Sequence, residues 1–163
     1  MARVNRVLRS KTERRCEKCG AVVKVGEPYL WWQFRYGGRH ERCAASSCFP
    51  RRQDLTQSDF WKQAWTIEDE LSEVVDSDGL EALVEEIEAL ADEREDAVSN
   101  MPDQLQDGST AQARAEAVRE WAEEARGVLD DAPVREDYDS DAAFQDASES
   151  WLDSVRALGY GGE

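Results

Sequence analysis

The fold is decided by residues 16–48, which read CEKCGAVVKVGEPYLWWQFRYGGRHERCAASSC. All four cysteines of the chain lie in this stretch. The two-residue gap between Cys16 and Cys19 lets both thiolates chelate one metal ion from a single turn, and Gly20 relieves the backbone just beyond it. Cysteines clustered around such a pair favour a metal site over disulfides in a reducing compartment. We therefore expect a bound zinc ion, Zn²⁺.

The second pair of ligands leaves two alternatives open. Cys43 and Cys48 complete a four-cysteine site, whereas His40 and Cys43 complete one with an HxxC spacing. We favour Cys48, because an unused cysteine would be a free thiol, while an unused histidine can lie on the surface. The predicted ligands are thus Cys16, Cys19, Cys43 and Cys48, with His40 as the alternative. Four protein ligands leave no position for a catalytic water, so the metal is expected to fold the module.

The residues between the cysteines follow a period of two, which is typical of β-strands. A β-rich run at 21–25 is followed by an aromatic strand at 29–36. The Gly37-Gly38 pair then reverses the chain, and residues 39–43 return as a second strand. We expect this finger to consist of β-hairpins, followed by a short helix.

After Pro50 the apolar pattern changes to the helical period of 3.6. A first helix, starting near Thr56, is expected to pack on the finger. Further helices are predicted at about 79–101, 110–130 and 141–158, which would form a helical hairpin or three-helix bundle. The predicted organisation is a basic arm at 1–15, a zinc finger with its packing helix at 16–66, and an acidic helical domain at 67–163. The fold class is therefore α+β, a small zinc-binding finger joined to a mostly α-helical region.

Charge is distributed unevenly along the chain. Residues 1–52 hold thirteen Lys or Arg against four acids, and residues 53–163 hold seven against thirty-two. Such asymmetry indicates different partners for the two halves, although a salt-rich cytoplasm or a GC-rich genome also explains an acidic surface. The sequence contains no apolar run long enough for a membrane span and no secretory signal, so a soluble cytoplasmic protein without a membrane partner is expected.

Basic residues interleaved with aromatic rings favour nucleic acid as a partner. Arginines neutralise phosphates, and exposed aromatic faces stack on unpaired bases. In the alternative interpretation, the rings form the core of the finger and the arginines are solvated charge above it. The candidate nucleic-acid-binding residues are Arg3, Arg6, Arg9, Arg14, Arg15, Arg35, Arg39, Arg42, Arg51, Arg52 and Trp32.

Three motifs mark the finger: Cys16-x2-Cys19-Gly20, Gly26-Glu27-Pro28-Tyr29 before the aromatic strand, and His40-x2-Cys43. With these motifs the finger resembles treble-clef zinc fingers of the LIM and poly(ADP-ribose) polymerase kind. It is also similar to small phage-encoded proteins of unassigned function that have an acidic helical tail. The resemblance covers roughly residues 14–60. The finger lacks the second CxxC half of LIM and has a shorter central spacing than the polymerase finger. The resemblance implies a treble-clef fold, a binding role and, for a phage protein, a location in the host cytoplasm.

No catalytic constellation is found in the sequence, which has one histidine, no Gly-rich phosphate loop and no nucleophile elbow. The expected function is therefore that of a non-enzymatic zinc-finger protein. Its finger and arm would contact nucleic acid, and its acidic helices, one with a coiled-coil-like seam, would mediate protein contacts or homo-oligomerisation. Two alternatives are a protein-interaction adaptor of a phage assembly and an acidic DNA-mimicking inhibitor.

Overall fold

The computed structural model describes residues 1–106 and 109–161. The chain divides into two compact units, Met1–Trp65 and Thr66–Glu163, which we call the cysteine unit and the helical unit. Small antiparallel sheets and, among the described residues, five α-helices confirm the predicted α+β class. Positions 107, 108, 162 and 163 of the predicted helical domain lie outside the described residues.

The cysteine unit contains two antiparallel sheets built from short strands. The strands are β1 (Asn5–Val7), β2 (Arg14–Arg15), β3 (Val22–Val23), β4 (Tyr29–Gln33) and β5 (Arg39–Cys43). One sheet has the order β1-β4-β5, and β2 pairs with β3 in the other. The predicted aromatic strand and its return strand are therefore β4 and β5, joined at Gly37-Gly38.

Strand β4 is the centre of the larger sheet and is covered on both faces. Leu30 and Trp32 lie on one face and are 1% and 2% exposed. Tyr29, on the opposite face, is also buried. Because side chains alternate between the faces of a strand, burial of both sets explains the nearly continuous apolar run of β4.

The N-terminal segment differs from the predicted basic arm. Residues 1–15 contain β1, which pairs with β4, and β2, which pairs with β3. Further backbone bonds attach the segment, from Ala2 N–H to the Leu55 carbonyl (2.7 Å) and from Ser10 N–H to the Glu27 carbonyl (2.8 Å). Ser10 is 3% exposed. The segment belongs to the sheet because these backbone groups find partners there.

The chain leaves β5 through two 3₁₀ turns, Ser46–Cys48 and Arg52–Leu55, and enters helix α1 at Asp59–Leu71. Phe60, Ala64 and Trp65 of this helix are buried.

The helical unit contains α2 (Ser77–Ser99), α3 (Asp103–Gln106), α4 (Thr110–Asp130) and α5 (Asp141–Ala157). Each of the three long helices begins after a polar residue whose side chain accepts a bond from a backbone N–H in the first turn. These N-cap residues are Asp76, Ser109 and Ser140. The cap at Asp76 explains why α2 begins two residues before the predicted start at 79.

Helices α2 and α4 pack through their apolar faces. Ion pairs across the seam join Arg119 to Asp92 (2.6 Å) and Glu95 (2.7 Å), and Arg126 to Glu88 (2.7 Å). Residue numbers rise along one helix as they fall along the other, so the pair is antiparallel. Helix α5 is attached to α4 by a hydrogen bond from Trp151 Nε1 to the Val128 carbonyl (2.7 Å). No helix in the described ranges combines the length and the apolarity needed to cross a membrane.

Candidate metal centre

The four cysteines meet at one point of the cysteine unit. The sulfur atoms of Cys16, Cys19, Cys43 and Cys48 all lie within 4.8 Å of one another, and none forms a disulfide. Four sulfurs placed about 2.3 Å from a central zinc at the corners of a tetrahedron are about 3.8 Å apart. The Cys19 and Cys43 sulfurs are 3.8 Å apart. This pair therefore has the spacing of a tetrahedral zinc site, and the other pairs of sulfurs lie close enough, within 4.8 Å, to share the same ion.

The first pair of cysteines is positioned by the β2–β3 hairpin. Cys16 directly follows β2, and its N–H donates to the Ala21 carbonyl at 2.8 Å. The Gly20 N–H donates to the Cys16 carbonyl at 2.9 Å and closes the turn that contains Cys19. Gly20 has φ +72°, a left-handed conformation that favours glycine, which explains its place directly after the CxxC pair.

The second pair is positioned by the end of the larger sheet. Cys43 is the last residue of β5, and Cys48 ends the 3₁₀ turn Ser46–Cys48. The Glu17 N–H donates to the Glu41 carbonyl at 3.0 Å, which ties the CxxC turn to β5. Local turns thus place each pair, and this contact between two hairpins brings the pairs together.

The surroundings of the thiols favour negative charge on the Cys16 sulfur and oppose it on the sulfurs of Cys43 and Cys48. Burial works against ionisation of Cys16, but backbone N–H groups of Cys19, Cys43 and Lys18 bond to its sulfur and lower its pKa to about 6. The neighbouring Cys43 thiol, with burial, raises the pKa of Cys48 to about 12. Burial likewise raises the pKa of Cys43. Four thiolates this close repel one another, and a divalent cation would relieve that repulsion.

His40, the alternative ligand, lies outside this cluster. Its Nδ1 atom is 3.0 Å from the Glu17 carboxylate. Its ring stacks on Trp32 with the ring centroids 5.2 Å apart, and the edge of Phe34 faces it. Among the described residues, the one group of side chains placed to share a metal ion consists of the four cysteines.

Three of the candidate nucleic-acid-binding arginines are held in the structure of the cysteine unit. Arg42 makes a bidentate ion pair with Asp54, with N–O distances of 2.7 and 2.8 Å, and the Arg42 side chain is 12% exposed. Arg39 and Arg14 both pair with Glu41. These guanidinium groups also lie against aromatic rings, Arg39 over Trp31, Arg42 over Trp32 and Arg14 over Tyr29. Asp54 neutralises Arg42, whereas Arg14 and Arg39 share the one carboxylate of Glu41 and together keep one net positive charge.

The other candidate residues divide by exposure. Trp32 is 2% exposed, so its ring is a core group and is not available for stacking on a base. Arg3, Arg6 and Arg9 are exposed and, within the described part of the chain, form no ion pair. Four more arginines lie at the surface and make local contacts. Arg15 donates to the Gly20 carbonyl, and the backbone N–H of Arg51 donates to the Asp54 carboxylate. The guanidinium groups of Arg35 and Arg52 lie over the rings of Tyr36 and Trp65.

One exposed aromatic residue was missing from the candidates. Tyr36, next to the Gly37-Gly38 turn, is 80% exposed. Its position at the tip of the β4–β5 hairpin was the available signal, because a ring at a tight turn cannot join the core of the sheet.

Comparison of the chain with protein-family models, with curated proteins and with solved structures finds no match.

Proposed function

We propose that the chain is a non-enzymatic zinc-binding protein whose cysteine unit folds around one Zn²⁺ ion and binds nucleic acid. The observation that carries the zinc proposal is the cluster of four sulfurs within 4.8 Å of one another. Thiolate ligands in a tetrahedral arrangement select zinc over the harder ions magnesium and calcium. Four protein ligands complete the coordination of the metal, so its role is structural.

The arrangement around the site supports a treble-clef finger. A two-stranded hairpin with a CxxC turn supplies Cys16 and Cys19, a second hairpin ends at Cys43, and a short helical turn supplies Cys48. This order also supports the resemblance to LIM-like, polymerase-like and phage-encoded fingers.

The zinc proposal is tested by metal analysis of the purified full chain. We expect one zinc per chain, and substitution with Co²⁺ should give the absorption spectrum of a tetrahedral thiolate site. Cys48→Ser should lose the metal to a competing chelator far more readily than the unaltered chain does. His40→Gln is the matched control and should retain it. Loss of zinc in His40→Gln, with retention in Cys48→Ser, would contradict the ligand assignment.

The nucleic-acid proposal rests on charge. The cysteine unit holds fourteen Lys or Arg against six acids, a net charge of +8, and the helical unit holds six against thirty, a net charge of −24. In the cysteine unit, Arg3, Arg6 and Arg9 keep their charge available because no described carboxylate pairs with them. Such a surface attracts a polyanion and releases its counterions on binding. The acidic helices remain available for protein contacts.

Binding of labelled oligonucleotides to the zinc-loaded full chain tests this part. We expect affinity that falls steeply with salt, and that falls further when Arg3, Arg6 and Arg9 are changed to Gln. The same three positions changed to Lys keep the charge and serve as the control. Absence of binding at low salt would overturn the nucleic-acid proposal and direct attention to protein partners of an adaptor.

A further inference from the structure

The β4–β5 hairpin presents an aromatic ring to solvent at its tip. Tyr36 is 80% exposed, and the Arg35 guanidinium lies 5.3 Å from the centre of its ring. The two tryptophans of the same hairpin are covered, Trp32 by burial and Trp31 by the Arg39 guanidinium 4.2 Å above it. Because the Arg35 guanidinium lies over one face of a ring that is 80% exposed, the opposite face of Tyr36 is open to a flat group that can stack on it.

The unpaired arginines begin near this ring and continue along the edge of the sheet. Strand β1 is an edge strand, and its register pairs Asn5 with Trp31 in antiparallel fashion. The chain before Asn5 therefore runs towards Gln33 and the hairpin tip, which brings Arg3 to the end of the sheet where Tyr36 lies. Arg6 lies in β1 on the same edge, and Arg9 follows after the strand, where the chain bends at Leu8 and Arg9. At about 3.3 Å per extended residue, the chain from Arg3 to Arg9 spans at most roughly 20 Å.

Other features of the cysteine unit do not fit a duplex. The major groove admits a helix or a two-stranded ribbon that carries free basic side chains. Within Asp59–Leu71, α1 has one lysine, Lys62, which pairs with Asp59. The arginines of β5, Arg39 and Arg42, are paired with Glu41 and Asp54. The cations of β5 and of α1 are thus held in ion pairs, which makes them less available to the phosphates beside a groove.

We infer that the cysteine unit binds single-stranded nucleic acid in preference to duplex, with Tyr36 stacking on a base and Arg3, Arg6 and Arg9 contacting the phosphates of the same strand. This inference rests on the proposed function and specifies its partner. A row of cations beside an exposed ring is the combination used by proteins that bind single strands without reading their sequence. DNA and RNA strands share this chemistry.

The test measures binding of the zinc-loaded full chain to fluorescent strands of about 12 nucleotides, a length within the site sizes of small single-strand modules. The probes are a single-stranded DNA, a single-stranded RNA and a DNA duplex of equal length, titrated from about 20 to 200 mM salt. We expect at least one single strand to bind about tenfold or more tightly than the duplex. A difference in affinity between the DNA and RNA strands would identify which of the two nucleic acids is the preferred ligand.

Variants of Tyr36 test the stacking contact. Tyr36→Ala should weaken single-strand binding about 5- to 100-fold, and Tyr36→Phe, which keeps the ring, should bind like the unaltered chain. Changing Arg3, Arg6 and Arg9 together to Gln should reduce the slope of log affinity against log salt by about 2, because each phosphate contact to a single strand contributes about 0.7. Zinc content and circular dichroism of each variant verify that the fold is retained.

The outcomes separate the inference from the proposed function. If no probe binds at low salt, the proposed nucleic-acid function fails. If the duplex binds as tightly as the single strands, or Tyr36→Ala binds like the unaltered chain, the inference is overturned while the proposed function stands.

Discussion

The cysteine unit and the helical unit have different sources of stability. The strands of the cysteine unit are two to five residues long, whereas α2 and α4 of the helical unit have 23 and 21 residues. A module of this size with such short strands rarely gains enough stability from its core alone, and small natural modules add a metal or disulfides. Long helices with continuous apolar faces supply their own core.

A partly buried ion pair of the cysteine unit contrasts with the exposed ion pairs between α2 and α4. In the cysteine unit, Arg42 and Asp54 have side chains that are 12% and 27% exposed. In the helical unit, Arg119 pairs with Asp92 and Glu95, whose side chains are 70% and 50% exposed. Partly buried pairs are sensitive to loss of one partner, while exposed pairs contribute little. The cysteine unit therefore depends on a few specific contacts, and the helical unit depends on a distributed apolar seam.

Metal removal should have the largest effect and should separate the two units. We expect a strong chelator to unfold the cysteine unit, since structural zinc contributes about 10–16 kcal/mol in small fingers. Hydrogen exchange should show loss of protection at Tyr29–Gln33 and retained protection at Leu83–Leu90 of α2. Equal loss in both segments would show that the helical unit also requires the metal, and unchanged protection at Tyr29–Gln33 would show that the cysteine unit does not.

A large-to-small substitution in the core of the helical unit should destabilise the helical unit and leave the metal site of the cysteine unit intact. Trp121 of α4 is 2% exposed, so Trp121→Ala should lower the free energy of unfolding of the helical unit by about 3–5 kcal/mol. The Trp121 indole N–H has no hydrogen-bond partner among the described residues, so Trp121→Phe should cost less. Zinc content should stay at one per chain in both variants. Loss of zinc in Trp121→Ala would show that the metal site of the cysteine unit depends on the core of the helical unit.

Much of the difference between the cysteine unit and the helical unit could be predicted from the sequence, because it depends on local sequence patterns. The two-residue gap between Cys16 and Cys19 is set by one turn, and it predicted the first half of the cluster. Helices α4 and α5 begin where the apolar period begins, next to Ser109 and Ser140, so their bounds were close to those predicted. Apolar positions of α2 such as Leu83, Ile87 and Leu90 are buried, as the period requires.

Features that depend on distant partners were not predictable in the same way. Strand β1 is three residues long and is defined by its pairing with β4, more than twenty residues away, so residues 1–15 had the pattern of a basic arm. Composition does not distinguish the free Arg6 from Arg42, which is paired with Asp54. Strand alternation places Trp31 and Trp32 on opposite faces of β4, but only the packing of the sheet decides that Trp32 is the buried ring.

The ion pair between Arg42 and Asp54 tests whether a partly buried ion pair contributes more to stability than an exposed one. Burial alone would raise the pKa of Asp54, but hydrogen bonds from Arg42 and from the Arg51 N–H outweigh it and lower the pKa. Asp54→Asn removes the charge and leaves Arg42 unpaired beneath the surface. We expect a loss of about 2 kcal/mol in the unfolding free energy of the cysteine unit, below the range for fully buried pairs because Asp54 is partly exposed. The control is Asp92→Asn in the helical unit, which should cost less than about 1 kcal/mol. Equal losses would contradict the contrast between the two kinds of ion pair.

The smallest expected effect is a change in how the unfolding free energy of the helical unit depends on pH at alkaline pH. Burial raises the pKa of Tyr160 above its ordinary value of 10.0, and an interaction with Arg114 opposes that rise only in part. The unfolded chain then loses this proton at a lower pH than the folded unit does. The stabilisation is therefore complete below pH 10 and decreases as pH rises through the pKa of the folded state. In Tyr160→Phe the unfolding free energy should therefore fall less steeply above pH 10 than it does in the unaltered chain. Identical alkaline profiles for Tyr160→Phe and the unaltered chain would mean that the phenol is as well hydrated in the folded unit as in the unfolded chain.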